Sequence, residues 1–208
     1  MTLPLEPRRI LGAVLAGGAG RRFGSDKALA VLAGRPLIEH AARAVGKWAS
    51  QVVVCGREFG GYASVADRPR PGLGPLGAIN AALHLAAEQH MAGVLTIACD
   101  IPVLPDEVAA RLLHERPAVA AGQPLLGYWP VALAEVLDAY LATAEDRSVW
   151  GWARHVGAVE VATAGVLANV NTPADLAELA EYWPSADQAP TSSSREGSCI
   201  GQPLTRPR

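Results

Sequence analysis

The apolar positions of this chain fall into short continuous runs separated by glycine-rich or polar stretches. Ile10-Leu-Gly-Ala-Val-Leu-Ala16 is the first, and Gly17-Gly18 closes it. A run with no polar alternation reads as a strand buried on both faces. Gln51–Cys55 is a second such run, ending at Gly56, and Val94–Cys99 a third, closing at Asp100. Between them the spacing turns helical. Pro36 suits the first position of a helix over Leu37–Val45. Leu76, Ile79, Leu83 and Ala86 share one face of a helix over 76–89, and another helix is expected over Asp106–His114. Strand and helix in alternation predict an α/β fold: three layers, α/β/α, around a mostly parallel sheet.

The pattern weakens in the second half. Leu125–Trp129 and Val159–Ala162 read as strands, and Val131–Ala142 as a helix. Thr172-Pro173-Ala-Asp175 carries a helix start: a capping hydroxyl, a proline in the first turn and an acid at the positive end of the dipole. That helix is expected to reach Tyr182. Beyond Trp183-Pro184 the residues turn to Ser, Pro, Gln, Thr and Gly. The expectation is one domain over residues 1–184 and a disordered tail over 185–208.

Composition narrows the function classes. The 208 residues carry a net charge of −2, and half are hydrophobic. No broad basic field points to nucleic acid or a membrane surface, so any anion site must be local. Cys55, Cys99 and Cys199 form no metal-ligand spacing, and their odd number argues against a disulfide framework. Met1–Arg9 lacks the apolar core of a signal peptide, and no run is long enough to span a bilayer. A cytoplasmic protein is expected.

The densest chemistry lies in Leu15-Ala-Gly-Gly-Ala-Gly-Arg-Arg-Phe-Gly-Ser-Asp-Lys27. The segment leaves a buried strand, so it sits at the carboxyl edge where open α/β sheets bind ligands. Gly17, Gly18, Gly20 and Gly24 let backbone amides approach an anion, while Arg21, Arg22 and Lys27 bring positive charge. The combination suits a triphosphate better than a plain strand-to-helix turn. It is neither a dinucleotide fingerprint nor a P-loop: Gly18, Gly20 and Gly24 are spaced GxGxxxG, and Lys27 precedes Ala28. Asp100, at the tip of the third strand, suits Mg²⁺ against phosphate oxygens, or a turn before Pro102. Asp67 suits nucleotide, metal or the start of a turn. Pro75-Leu-Gly77 reads as base-pocket wall or helix punctuation. Asn169 and Asn171 alternate around Val170, which in a strand would aim both amides at one ligand; local capping is the other reading. The five histidines show no spacing for a triad or metal site, and Cys99 reads as a core thiol.

Taken in order, the Leu15–Lys27 motif, Gly74-Pro-Leu-Gly77, Cys99-Asp-Ile-Pro102, Gly127-Tyr-Trp-Pro130 and Asn169-Val-Asn-Thr-Pro173 closely resemble the molybdenum cofactor guanylyltransferases. These belong to the nucleotide-diphospho-sugar transferase-like superfamily, and the resemblance covers roughly residues 10–180. It implies a Rossmann-like nucleotidyltransferase fold and transfer of GMP from GTP to molybdopterin with release of pyrophosphate. It also implies that Leu15, Ala16, Gly17, Gly18, Lys27, Asp67 and Asp100 bind nucleotide, and that Asp100 holds Mg²⁺. Lys27, Arg22 and Asp100 would carry catalysis, and Asn169 and Asn171 would lie on the pterin side. Molybdenum-insertion and molybdoenzyme-chaperone proteins come into view as partners of a monomer or weak oligomer. Two segments depart from the family pattern: Cys55-Gly56-Arg57, where relatives often carry an Asn, and Gln123-Pro-Leu125, where His-Pro-Leu is usual. A cytidylyl or sugar-1-phosphate transferase and a GTP-binding adaptor without catalysis are the alternatives.

Overall fold

The computed structural model describes residues 9–17, 23, 26–114, 116–163 and 167–183. The three continuous apolar runs form β1 (Ile10–Leu15), β4 (Gln51–Cys55) and β6 (Gly93–Ala98). Between β1 and β4 lie a 3-10 turn (Lys27–Leu29), a hairpin of β2 (Val31–Leu32) and β3 (Arg35–Pro36), and α1 (Leu37–Gly46). Pro36 is the cap residue before α1 rather than its first turn. β5 (Ala63–Val65) and α2 (Pro75–Glu88) precede β6. After it come α3 (Asp106–His114), β7 (Ala118–Ala120), β8 (Gln123–Pro130), a 3-10 turn (Val131–Leu133), α4 (Ala134–Thr143), α5 (Val149–His155), β9 (Val159–Val161) and α6 (Pro173–Tyr182).

Among the described residues, seven strands join in the order β5-β4-β1-β6-β8-β7-β9. β8 runs antiparallel to both of its neighbours, and the other pairings are parallel. The sheet is therefore mostly parallel with one reversed strand. Alternate side chains of each central strand enter opposite layers. Ile10 and Val14 pack with Ile38, Ala42 and Val45 of α1 and Val108 and Leu112 of α3. Leu11, Ala13 and Leu15 pack with Ile79, Ala82 and Leu83 of α2 and Leu137 of α4. Burial on both faces is why these strands tolerate no polar alternation.

Two local features shape this frame. Thr96 is fully buried on β6, yet its hydroxyl donates to the Gly127 carbonyl and accepts from Trp129 Nε1, each at 3.1 Å. Those bonds satisfy the buried hydroxyl and tie the reversed strand to the parallel half. At the start of α6 the Thr172 hydroxyl accepts from the Asp175 amide, and the Asp175 carboxylate accepts from the Thr172 amide. The Thr172 cap is the one expected from sequence, and the return bond from Asp175 completes a capping box beyond that expectation.

Candidate functional site

β1 ends between the tips of β4 and β6. The Ala16 amide donates to the Cys55 carbonyl at 3.0 Å, and the Cys99 amide donates to the Leu15 carbonyl at 3.2 Å. Gly56 has φ +86°, and a Cβ there would stand 2.8 Å from the Gly17 Cα. Only glycine at 56 lets the two strand tips approach so closely. Leu15 and Ala16 are buried, while Gly17 is exposed at the sheet edge. Gly18, Gly20, Arg21, Arg22 and Gly24, assigned from sequence to the phosphate loop, lie outside the described residues, as does the tail over 185–208.

The chain returns to the sheet at Asp26. Its Oδ1 accepts from the Ala28 amide at 3.2 Å, capping the 3-10 turn. The same oxygen accepts from Arg57 Nη1 at 2.8 Å, and Arg57 Nη2 reaches Asp26 Oδ2 to complete a bidentate pair. The Arg57 guanidinium holds the Asp26 carboxyl below the usual carboxylate range. Lys27 turns the other way. Its Nζ donates to Asp100 Oδ2 at 2.6 Å and to Asn171 Oδ1 at 3.4 Å. Both charged side chains are largely shielded, at 20% and 15% exposure. The Asp100 carbonyl in turn accepts from the Val170 amide at 3.0 Å. One lysine thus joins the segment after β1, the tip of β6 and the segment before α6.

Residues 167–171 hold no ladder with the sheet, so alternation along a strand does not aim Asn169 and Asn171 at one ligand. The two amides have different surroundings. Asn171 faces Lys27, and its backbone amide donates to Asp175 at 2.8 Å. Asn169 lines a groove of about 320 Å³ with Asp175, Glu178 and Tyr182. Its buried Oδ1 has no partner among the described residues.

On the other flank of β1, Leu15, Gly17, Arg57, Asp67, Gly74 and Pro75 line a cleft of about 870 Å³. That volume accommodates a nucleoside. Asp67 is brought close by Gly77, whose Cβ, were it present, would lie 3.1 Å from the Asp67 Cβ. Burial, helped by the Asp67 charge, pushes the Cys55 thiol up to about 12. Burial and the adjoining Asp100 push Cys99 to about 11, against the opposing pull of Lys27 and Arg57. Neither thiol is an activated nucleophile.

Sequence reasoning does not find two clusters. One is the Asp26–Arg57 pair, whose partners stand 31 positions apart with no periodic relation. The other lies behind Asp67. Fully buried Asn80 donates to Asp138 Oδ1 at 2.6 Å and to the Arg68 carbonyl at 3.4 Å, while His84 Nε2 meets Asp138 Oδ2 at 2.9 Å. Asp138 comes from α4, so the connection follows from helix packing.

The donor set fits a hard divalent cation. Asp100 is a single carboxylate at the edge of the sheet, and Mg²⁺ typically takes one or two carboxylates and fills its shell with phosphate oxygens and water. Among the described residues no group of three or more His, Cys, Asp or Glu side chains gathers to hold a metal, so the remaining ligands would come from substrate and solvent.

Comparison with known proteins agrees with this geometry. The sequence profile of the MobA-like NTP transferase domain matches residues 12–160. A molybdenum cofactor guanylyltransferase from Rhizobium johnstonii is 36% identical over 205 residues, covering 89% of this chain and 98% of its own. Another from Cereibacter sphaeroides is 36% identical over 183 residues, covering 81% of this chain and 94% of its own. Among solved structures, molybdopterin-guanine dinucleotide biosynthesis protein A from Archaeoglobus fulgidus superposes with a TM-score of 0.65 at 23% identity, over 83% of this chain and 97% of that one. The 2-C-methyl-D-erythritol 4-phosphate cytidylyltransferase from Thermus thermophilus gives 0.57 at 17% identity, over 82% and 96%. These two likenesses speak for the nucleotidyltransferase fold. By profile and by sequence identity over most of its length, this chain belongs to the MobA-like NTP transferase family, among the molybdenum cofactor guanylyltransferases.

Proposed function

We propose that this nucleotidyltransferase moves GMP from GTP to molybdopterin, forming the guanine dinucleotide cofactor and pyrophosphate. The observation that carries the reading is the Lys27–Asp100 pair at 2.6 Å, standing at the sheet edge beside a nucleoside-sized cleft. A cation and a carboxylate side by side are what a triphosphate and its metal require. The relatives' names supply the two substrates.

In this reading the nucleoside occupies the cleft against Leu15 and Gly17, with Asp67 contacting it. The amides of the loop from Gly17 to Gly20 hold the β- and γ-phosphates, while the Ala16 amide, expected among them, is taken by the Cys55 carbonyl. Lys27 and Arg22 stabilise charge building on the α-phosphate and the leaving pyrophosphate. Asp100 would hold Mg²⁺, which would supply positive charge against the phosphates. Asn169 and Asn171 meet the pterin side. A terminal phosphate oxygen of molybdopterin attacks the α-phosphorus in line, a new P–O bond forms, and the bridge to the β-phosphate breaks. The nucleophile is already an anion, so no general base is required and positioning dominates. The reaction belongs in the cytoplasm, in a monomer or weak oligomer that meets molybdenum-insertion and molybdoenzyme-chaperone proteins. No helix among the described residues is long and apolar enough to cross a membrane.

The test is one incubation with Mg²⁺, molybdenum-loaded molybdopterin and each nucleoside triphosphate in turn. Dinucleotide product with GTP alone is expected. Product with CTP instead would overturn the guanine assignment. GTP binding without pyrophosphate release would overturn transfer. Omitting the metal, or replacing it with EDTA, is expected to abolish product.

A further inference from the structure

We propose that Arg57 is a positioning residue for the transfer, acting on Lys27 through Asp26; this rests on the reading of Lys27 as the phosphate cation. Lysine is a flexible cation whose usefulness depends on what fixes its base. Here the base is a turn of three residues, held by the Leu29 amide on the Asp26 carbonyl at 3.0 Å and the Ala30 amide on the Lys27 carbonyl at 3.1 Å. Such a short turn has little stability of its own. Asp26 stabilises it from outside the helix register, because its Oδ1 takes both the Ala28 amide and Arg57 Nη1.

Arg57 is well placed to transmit rigidity. It follows Gly56 at the tip of β4, where Gly56 abuts Gly17 and Cys55 pairs with Leu15. Its planar fork matches the Asp26 carboxylate at two points, which fixes direction as well as distance. Lys27 is consequently held from the segments that follow both neighbours of β1: through Asp26 to Arg57, just after β4, and through Asp100, just after β6. The Asp26 side chain is 42% exposed, and so open a pair contributes little to global stability. Its effect is local.

Arg57 also lines the nucleoside cleft, so direct contact with substrate is the rival role. A double-mutant cycle on the full chain separates the two. In Arg57→Ala and in Asp26→Asn, kcat is expected to fall roughly 10- to 100-fold, as when a catalytic group is misplaced by about an ångström. KM for GTP should stay within about threefold, since the lost interaction is not uniform substrate binding. Combined, the two changes should be no slower than the worse single variant, because they cut one chain of contacts. Arg57→Lys, which keeps the charge and loses the fork, should fall between wild type and Arg57→Ala. Multiplying losses in the double variant, or wild-type kcat in Arg57→Ala, would overturn the proposal. Hydrogen exchange at the Ala28–Ala30 amides without substrate gives a second readout. Faster exchange in Arg57→Ala supports the linkage and unchanged exchange overturns it, even if the chain proves to transfer no guanylyl group.

Discussion

Lys27 Nζ stands 2.6 Å from Asp100 Oδ2, although 73 positions separate the two residues in the chain. Each neutralises the other before any substrate arrives, so the two charges are ordered at the sheet edge in advance. Preorganised charge is what stabilises a developing phosphoryl transition state, and losing one such group costs about 3–4 kcal/mol, or roughly 10²–10³ in rate. Lys27→Ala and Asp100→Ala are each expected to lower turnover by that amount while keeping the wild-type circular dichroism spectrum and a cooperative melt. Near-normal turnover in both variants would remove the site assignment.

Gly77→Ala tests the nucleoside side. An added Cβ would lie 2.9 Å from Leu73 Cβ and 3.1 Å from Asp67 Cβ, so the loop carrying Asp67 must shift outward. The expected result is a KM for GTP raised about tenfold, with roughly 1–3 kcal/mol lost in stability. Unchanged GTP affinity, measured by calorimetry, would mean that Asp67 does not shape the nucleotide site.

Asp138 gives a pH dependence with a defined sign. Burial pushes its carboxyl up, but the Asn80 hydrogen bond and His84, with help from Arg68, outweigh burial and bring the folded value below 3.8. A depressed carboxyl contributes stability above its unfolded value and loses it as pH falls through the folded value. Urea melts should show stability falling below about pH 4 less steeply in Asp138→Asn than in wild type. The side chain is 35% exposed, so solvent screening limits the difference to about 1 kcal/mol. Parallel pH profiles would show that Asp138 is not linked to folding.

Cys55 offers a chemical readout of the same region. Its thiol, pushed to about 12 by burial and Asp67, holds almost no thiolate at neutral pH. Iodoacetamide should modify Cys55 at least about a hundredfold more slowly in the folded chain than in urea. Comparable rates would mean that the tip of β4 opens freely.

The parts legible in sequence are those whose environment is uniform. β1, β4 and β6 are buried on both faces, so nearly every position is apolar and the runs end within a residue or two of the strands. α2 and α6 are equally clear, from one apolar stripe and from Thr172 and Asp175 at the cap. The three-residue β5 and β7 and the short α5 (Val149–His155) are not foreseen, although β9, equally short, is. The reversal of β8 depends on pairing with β6, which local spacing does not encode. At the site, residue types indicate Lys27, Asp67 and Asp100, but not which of them touch. That Asn171 shares Lys27 while Asn169 enters another groove depends on the segment leaving the sheet. Arg57 reads as a departure from the family pattern, and its partner Asp26 becomes visible only in three dimensions.

The position of β1 between β4 and β6 has a consequence for biosynthesis. The first strand among the described residues is a central one, and its pairing stays half complete until β6 has left the ribosome. Lys27 and its most distant partner, Asn171, are 144 positions apart. At about 5–20 residues per second, roughly 7–29 s of translation separate their appearance. Asp100 emerges about halfway through that interval, so Lys27 first has neither partner and then only one. The full set of Lys27 contacts can therefore close only after every described strand has been synthesised.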